Sequence, residues 1–492
     1  MRLTLDPSCI EDYSTFLKVK SMPKYTVIGR DVEFPDEYAG MLGIAAPSGI
    51  DGEYRPHRKC FDYQRDIARM AIKKKKFSVF ADCGLGKTLI FLECAHHVHK
   101  LYPTRRILIV SPLMVIEQTI EEAKSFYGDD MMIQQVHANG LADWLQHGHG
   151  IGITNYEAIT DDLPDTDLAC IILDESSMLK HHYGAWGTRL IRMGRGVEYK
   201  FCLTGTPAPN DRIEYANHAV FMDAFPTVNS FLARFFVNRG QTSERWELKK
   251  HSLAAFYTAL SHWCIFLTNP ATYGWKDNCG TLPPINVHVH DVRLTRAQRD
   301  AFQTSEGALF MDNAGGIGSR GRIARIGKGF HNGEKIDSLK TKYIVDLIES
   351  WPDESTIIWC KYNAEQEEMA KAFPDFGNID GSTPSDVRRR IIHDFKSGII
   401  RGIITKPKIL GFGLNLQRAT RQVFSGLQDS YEEFYQAVKR SNRVGSTKPL
   451  NVHIPVTELE APMVQTVLSK ASRVQKDTEE QEKIFHGHSF FR

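Results

Sequence analysis

The sequence lacks the features that define several classes of protein. No apolar run reaches about 18 residues, so no membrane-spanning helix is expected, and the first residues lack the apolar segment of a signal peptide. The nine cysteines include no Cys-x-x-Cys pair, and several lie in apolar runs, which favours buried thiols over a disulfide framework or zinc ribbon. No repeat of solenoid period is visible. These absences predict a soluble, cytoplasmic protein.

Charge is also nearly balanced. The chain carries 61 Lys and Arg against 59 Asp and Glu, a formal net charge of +2. Bulk charge therefore gives no argument for nucleic-acid binding, and any basic track must be local. Because one hydrophobic core stops growing near roughly 250–300 residues, a chain of 492 residues is expected to form at least two domains.

Short apolar runs alternate with helical patterns in two stretches of the chain. Such alternation predicts parallel sheets with helices on both faces. The predicted strands are 77–81, 106–111, 150–154, 169–173 and 199–203 in the first stretch, and 356–360, 402–405, 422–425 and 451–455 in the second. The predicted order is an N-terminal accessory segment (1–55), a first lobe (56–225), a helical protrusion and connector (226–334), a second lobe (335–470) and a C-terminal tail (471–492).

A glycine-rich loop follows the first of these strands. It reads Ala81-Asp-Cys-Gly84-Leu-Gly86-Lys87-Thr88 and opens a helical run. The glycines Gly84 and Gly86 allow backbone N–H groups to approach an anion, the helix N-terminus favours it, and Lys87 adds a positive charge. The hydroxyl of Thr88 is suited to bind Mg²⁺. Ala81 stands where the strict phosphate-loop pattern has glycine, and a Gly-Lys-Thr loop alone can arise by chance.

Two acids follow another predicted strand. Asp174 and Glu175 come directly after an apolar run, so they lie at the carboxyl edge of a parallel sheet, where ligands bind. Asp174 is assigned to Mg²⁺, which takes few protein ligands, and Glu175 to orienting and deprotonating an attacking water. An isolated Asp-Glu pair is more often a solvated strand end. With a phosphate loop in the same lobe, it predicts nucleotide hydrolysis.

The second lobe supplies two arginines. Arg440 and Arg443 are three residues apart, which places them on one face of a predicted helix. Arginines that reach a transferring phosphoryl group accelerate NTPases by about 10³–10⁵-fold. Without a phosphate loop elsewhere, a solvated basic helix would be the preferred interpretation. Ahead of them, the glycine-rich turn from Gly411 to Asn415 is a candidate contact for a nucleic-acid backbone and the nucleotide ribose.

In this order, the motifs resemble the Snf2-like branch of superfamily 2 helicases and translocases over residues 56–456. The phosphate loop with a leading alanine, Asp-Glu-Ser-Ser at 174–177 and Gln436-x-x-x-Arg440-x-x-Arg443-x-Gly445 carry the resemblance. It is nearest to compact helicases encoded by phages and prophages, which share the Phe-Asp-x-Gln entry ending at Gln64. Lys439 and the middle glycine of the Thr-Gly-Thr motif at 204–206 depart from the usual pattern.

The resemblance implies an α/β fold of two RecA-like parallel-sheet lobes with a helical protrusion between them, a P-loop NTPase of superfamily 2. It implies that ATP and Mg²⁺ are cofactors, that DNA is the track, duplex or branched, and that the lobes close around the nucleotide. Gln64 would read adenine, although a surface helix position is equally compatible, and Gln436 would contact the nucleotide. Implied contacts to the nucleic-acid backbone are Ser111, Asn155, Tyr156, Thr206 and Asn415.

A glycine- and arginine-rich segment, 315–333, is predicted to be a loop with a short basic helix. Its concentrated charge makes Arg320, Arg322, Arg325 and Lys328 candidates for backbone contact. The expected activity is that of an ATP-dependent DNA helicase or translocase, with or without strand separation. The alternatives are an ATP-gated DNA-binding switch and a motor subunit that acts with a nuclease or recombination partner. If the chain is phage-encoded, the host cytoplasm is its expected location. The oligomeric state does not follow from the sequence.

Overall fold

The computed structural model describes residues 1–22, 25–44, 49–181, 183–240, 245–277, 282–312, 317–410, 415–426, 430–443 and 445–487. Backbone contacts divide the chain into two compact units. The first unit contains Met1–Asn278 and Asp477–Arg492, and the second contains Cys279–Lys476. Among the described helices, none combines the length and apolar character needed to cross a bilayer.

The N-terminal residues form a small module of the first unit. Its elements are β1 (Arg2–Thr4), α1 (Ile10–Ser21), β2 (Thr26–Ile28) and β3 (Asp31–Glu33). The strands pair antiparallel in the order β1-β3-β2. Val19 and Met22 pack with Val32 and Phe34 in a core of the module's own.

The main sheet of the first unit is parallel, as the sequence predicted. Its central elements are α2 (Asp62–Lys74), β4 (Lys76–Ala81), α3 (Lys87–Leu101), β5 (Arg106–Ser111), α4 (Ile116–Tyr127), β6 (Ile133–Gln135), α5 (Ala138–His147), β7 (Ile151–Asn155), β8 (Leu168–Asp174), α6 (Ala185–Met193), β9 (Tyr199–Leu203) and α7 (Tyr215–Phe221). Every residue of β8 is buried, as expected for a strand covered on both faces.

The next segment contributes a strand that the sequence did not predict. It forms α8 (Val228–Phe235), the hairpin β10 (Phe236–Asn238) and β11 (Trp246–Leu248), α9 (Leu253–Ser261) and β12 (Cys264–Leu267). β12 pairs with β4, so within the described residues the main sheet has the order β12-β4-β9-β8-β5-β7-β6. The sequence did not predict β12 because aromatic residues at helical spacing surround this four-residue run. Two of those aromatic residues, Phe231 and Phe256, are buried in the core.

The second unit contains the other parallel sheet. Its first elements are β13 (Ile285–Asp291), α10 (Arg296–Asp312), α11 (Ile317–Gly327), β14 (Phe330–His331), β15 (Glu334–Lys335), α12 (Lys340–Glu349) and β16 (Thr356–Trp359). There follow α13 (Asn363–Ala372), β17 (Gly377–Asn378), α14 (Ser385–Ser397), β18 (Gly402–Thr405), α15 (Pro407–Leu410), β19 (Arg421–Phe424), α16 (Tyr431–Val438), β20 (Leu450–Val456) and α17 (Ala461–Gly487). The residues of α17 from Asp477 onward belong to the first unit. The described strands pair in the order β13-β20-β19-β16-β18-β17. Two parallel α/β lobes are thereby confirmed.

Candidate nucleotide site and nucleic-acid surface

The phosphate loop connects β4 to the N-terminus of α3. Gly84 and Gly86 have φ angles of +91° and +65°, a backbone region that glycine adopts without strain. Gly86 is the N-cap of α3, and Lys87 is its first residue. The Lys87 ammonium donates a hydrogen bond to the carbonyl of Ala81 across 3.1 Å. The strand, the loop and the helix thus stand in the arrangement that holds an anion at a helix N-terminus.

Gln64 contacts the backbone of this loop. Its side chain is buried, its Oε1 accepts a hydrogen bond from the Phe61 N–H, and its Nε2 lies 3.4 Å from the carbonyls of Leu85 and Gly86. A Cβ on Gly86 would stand 2.2 Å from Gln64 Nε2, so a larger residue at position 86 would displace the Gln64 amide. The alternative of a surface helix position is therefore wrong for Gln64.

Asp174 ends β8 at the same edge of the sheet. Its Oδ2 accepts a hydrogen bond from Ser111 Oγ at 2.8 Å, and its Oδ1 accepts one from the Glu175 N–H at 3.1 Å. Burial, and after it the charge of Glu175, raises the pKa of Asp174 above its usual range, whereas the Ser111 hydrogen bond and the charge of Lys87 lower it. A buried carboxylate with a raised pKa favours a nearby cation. Asp174, together with the Thr88 hydroxyl at the start of α3, is an oxygen donor set that suits Mg²⁺.

Two residues implied as nucleic-acid contacts bond to Asp174 in the structure. Ser111 and Tyr156 are both buried, and the Tyr156 hydroxyl donates to the Asp174 carbonyl at 2.7 Å. Neither side chain reaches the solvent, where a phosphate backbone would bind. Ser111 and Tyr156 thus help to position Asp174, and their contacts to a nucleic-acid backbone stay a prediction. These contacts could not be predicted from the sequence. It gives the order of the strand ends along the chain, but not which side chains meet in the fold.

Glu175 adopts an unusual backbone conformation. Its φ of +49° lies in the left-handed region, which is uncommon for a residue with a side chain and is found most often at functional sites. Its Oε2 accepts a hydrogen bond from Thr204 Oγ1 at 3.2 Å. The same Thr204 oxygen accepts the Thr206 N–H at 3.2 Å. The Thr-Gly-Thr turn after β9 is thus bonded directly to the second acid.

The other two candidates at this edge differ in exposure. Thr206 is buried, and its contact to a nucleic-acid backbone stays a prediction. Asn155 is half-buried at the end of β7, and its Nδ2 donates to Glu157 Oε2 at 2.8 Å. Of the four first-lobe candidates, Asn155 alone keeps a partly exposed side chain.

His218 is a further residue of this site, and the sequence gives no sign of it. Its Nε2 lies 3.0 Å from Ser176 Oγ, and both side chains are buried. Burial lowers the pKa of His218 to about 4, so the imidazole is neutral at physiological pH. The contact fixes the turn after Glu175 onto α7. No motif or spacing marks a histidine 42 residues further along the chain as its partner.

In the second unit, the two arginines lie beyond the end of the helix. α16 ends at Val438, and the N–H of Arg440 bonds to the Ala437 carbonyl in a tighter turn. The prediction that both arginines lie on one helix is wrong. Beyond the helix, the Asn442 side chain donates to the Pro283 carbonyl, and Ser446 Oγ accepts a hydrogen bond from the Arg443 N–H.

These second-unit residues are nevertheless well ordered by local bonds. Arg440 is buried, and its Nε donates to the Gln436 carbonyl at 3.2 Å. Arg443 is half-buried. Gln436 is buried on α16, and its Nε2 has no hydrogen-bond partner within the described residues. Asn415 is exposed and bonds to Gln417, whereas Gly411–Leu414 of the same predicted turn lie outside the described residues.

The basic segment forms α11, and its basic side chains are either exposed or buried. Arg320, Arg322 and Arg325 are exposed, and the Arg325 guanidinium lies 5.7 Å from the ring centre of Tyr362. Lys328 is buried, so the prediction that it contacts a nucleic-acid backbone is wrong.

A buried ion cluster accounts for Lys328. Its Nζ lies 3.8 Å from Glu460 Oε1, and Lys340 Nζ lies 2.7 Å from both oxygens of Glu460. The two lysine charges lower the pKa of Glu460 against the effect of burial. This cluster joins the end of α11 to α12 and α17, and so fixes the helix that carries the exposed arginines.

Two protein-family models match the chain. The model of the SNF2-related domain matches residues 68–349, and that of the helicase conserved C-terminal domain matches residues 339–445. Because the first match covers more than half of the chain, the protein belongs to the SNF2-related domain family.

Individual relatives are distant. The chain is 22% identical to the DNA annealing helicase and endonuclease ZRANB3 of Mus musculus, over 80% of this chain and 38% of that protein. It is 24% identical to the SWI/SNF-related matrix-associated actin-dependent regulator of chromatin subfamily A-like protein 1 of Xenopus laevis, over 82% and 43%. The chain therefore spans about two fifths of the length of these relatives. The Sulfolobus solfataricus SWI2/SNF2 ATPase core in complex with dsDNA is matched at a TM-score of 0.40 and 19% identity, over 89% of this chain and 97% of that chain.

Proposed function

We propose that this protein is a DNA-dependent ATP hydrolase that moves along duplex or branched DNA. The observation that carries the proposal is the hydrogen bond between Thr204 and Glu175 beside the phosphate loop. It connects the acid assigned to water activation with the Thr-Gly-Thr turn that follows the neighbouring strand β9. A nucleotide-binding domain without turnover has no need of that connection.

ATP would bind with its phosphates at the N-terminus of α3, where Lys87 and the loop N–H groups face the anion. Thr88 and Asp174 would hold Mg²⁺, which when bound neutralises phosphate charge. Glu175 would orient a water and take its proton as the water oxygen bonds to the γ-phosphorus and the bond to ADP breaks. Arg440 and Arg443 would stabilise the charge on the γ-phosphoryl oxygens, with Gln436 as a further nucleotide contact.

DNA would bind through its backbone. Arg322 and Arg325 on α11, with Asn155 and Asn415, are the candidate contacts with accessible side chains. Because phosphate contacts carry no base information, affinity should fall with salt and depend little on sequence. The names of the relatives, which describe a DNA annealing helicase and a regulator of chromatin, support DNA as the track.

The decisive test is the steady-state ATPase rate of the full chain without nucleic acid and with single-stranded, duplex or forked DNA. We expect stimulation by duplex or fork, and loss of the rate in Lys87→Ala. A rate indifferent to every DNA would overturn the motor and favour the ATP-gated switch. Glu175→Gln should bind ATP yet fail to release phosphate, and an inability to bind ATP would contradict its role as base.

A motor subunit that acts with a nuclease or recombination partner is the second candidate. The name of the relative ZRANB3, a DNA annealing helicase and endonuclease, pairs such a motor with a nuclease activity and favours this candidate. Co-purification of a nuclease with the tagged full chain would support the partner, and DNA cleavage by the isolated chain would contradict it.

The Phe-Asp-x-Gln entry that ends at Gln64 supports a further proposal, that the protein is a phage- or prophage-type helicase that works in the cytoplasm of a host.

A further inference from the structure

The outward face of α1 is apolar, and the described part of the chain leaves it open to solvent. Ile10 is 78% exposed, Tyr13 52% and Leu17 50%. The opposite side of the helix packs onto the N-terminal sheet through Val19, which joins Met22 and Val32 in the core of the module. The exposed side chains are therefore not needed to hold the helix on its own module.

The three exposed apolar residues Ile10, Tyr13 and Leu17 form an apolar stripe along one face of α1. Because each helical residue advances about 100°, Ile10 and Leu17 stand two turns apart on the same face, and Tyr13 flanks them. Ser14 lies between them and is also exposed. A small side chain at the middle of an apolar stripe lets a second helix approach closely at that point.

The charges beside the stripe are self-complementary. Glu11 and Lys18 are both exposed and stand on the same edge of the stripe, seven residues apart. Within the described residues neither forms an ion pair. The acidic residue lies at the N-terminal end and the basic residue at the C-terminal end of the stripe, so an antiparallel copy of the helix places opposite charges face to face.

We propose that this face of α1 binds the same face of a second copy of this chain. The two helices run antiparallel and cross near Ser14. The midpoints of Ile10 with Leu17 and of Glu11 with Lys18 both lie within one residue of Ser14. A two-fold axis there brings Ile10 of one copy to Leu17 of the other and Glu11 of one copy to Lys18 of the other, twice over, as an isologous interface requires.

The size of the helix sets the strength of this association. A helix of 12 residues is about 18 Å long. A pair of such helices buries less than the roughly 1,200 Å² at which stable interfaces begin. The dimer is therefore weak and reversible in free solution. Two copies on one DNA molecule are held at a high effective concentration, so the association acts mainly between copies on the same track.

The test is sedimentation equilibrium of the full chain over a concentration series without nucleic acid. Wild type should shift from the mass of one chain toward that of two. Glu11→Lys and Lys18→Glu should each stay monomeric, because like charges then meet across the axis. An equimolar mixture of these two variants should associate again, because each altered charge then meets its opposite.

Two controls separate the interface from general effects. Lys20→Glu reverses an exposed charge on the other flank of α1 and should leave self-association unchanged. Ile10→Ser with Leu17→Ser should abolish association without lowering the melting temperature, since both residues are exposed. A wild type that stays monomeric throughout, or a mixture that does not associate, would overturn the proposal. So would association that survives the serine variant, since it would place the interface elsewhere.

Discussion

Thr204 Oγ1 donates a hydrogen bond to Glu175 Oε2 and accepts one from the Thr206 N–H, each at 3.2 Å. One hydroxyl thus holds the carboxylate assigned to water activation and the turn that follows β9. Glu175 also has a left-handed backbone, a conformation that surrounding contacts must hold in place. The position of its carboxylate therefore depends on residues outside β8.

Thr204→Val removes this hydroxyl with little change in shape. We expect kcat for ATP to fall by about 10–100-fold, the usual effect of losing a group that orients a reacting residue, while KM changes little. Steady-state kinetics measure both constants. Thr204→Ser keeps the hydroxyl and should retain most of the activity, and equal losses in the two variants would refute the role of the hydrogen bond.

Lys87→Ala removes the phosphate-loop charge. Because the Lys87 side chain is half-buried and donates only to the Ala81 carbonyl among the bonds observed, the fold should be kept. ATP turnover should fall by about 10²–10³-fold or more, as for other preorganised donors. Lys100→Ala, at the exposed end of the same helix, is the matched control. Turnover like that of wild type would disprove the phosphate-loop assignment.

Ser111→Ala removes the hydroxyl that bonds to Asp174 Oδ2. We expect the Mg²⁺ concentration for half-maximal ATPase activity to rise, because the carboxylate loses the group that orients it toward the ion. A magnesium titration at saturating ATP measures the shift. Ser382→Ala, at an exposed turn of the second unit, should not move the midpoint. An unchanged midpoint for Ser111→Ala would contradict the role of this hydrogen bond.

Arg322 and Arg325 test the DNA surface. Replacing both by glutamine should reduce the slope of log affinity against log salt by about one unit for each lost phosphate contact. Binding to duplexes of unrelated sequence should weaken equally. Fluorescence anisotropy at several salt concentrations gives the slope. The double variant Arg390→Gln, Lys396→Gln removes two exposed charges from α14 as a control. If the slope for the α11 variant stays at the wild-type value, DNA binds elsewhere.

Three histidines at the edge of the second sheet should make that unit sensitive to acid. His453 Nδ1 lies 2.9 Å from His290 Nε2, and the rings of His288 and His453 stack at 4.8 Å. Burial, the other two histidines and Arg421 together lower the pKa of His453 to about 3. A histidine of the unfolded chain titrates near 6.5, so the unfolded state binds the proton first and stability falls as pH drops from about 6.5 toward 3.

The measurement is the melting temperature between pH 7.5 and pH 5. His453→Asn should flatten its fall with pH, because the group that gains a proton on unfolding is gone. His393→Asn, an exposed histidine on α14, should keep the wild-type dependence. Identical pH profiles for wild type and His453→Asn would show that the cluster is not responsible.

The local patterns of the sequence determined the two parallel lobes, the phosphate loop and the acids at the end of β8. Each depends on neighbours within a few residues: an apolar run, a glycine-rich turn, a helix start. For that reason β4, β8 and α3 lie within about one residue of where the sequence predicted them.

Tertiary structure alone decided which strand-end side chains meet. Ser111 and Tyr156 turn inward to Asp174, His218 reaches Ser176 from another element, and Lys328 is buried against Glu460. Such contacts join residues 18 to 132 positions apart, and their geometry follows from strand order and helix packing, which no local pattern encodes. The same reason explains β12: a four-residue apolar run becomes a strand only because β4 offers it a free edge.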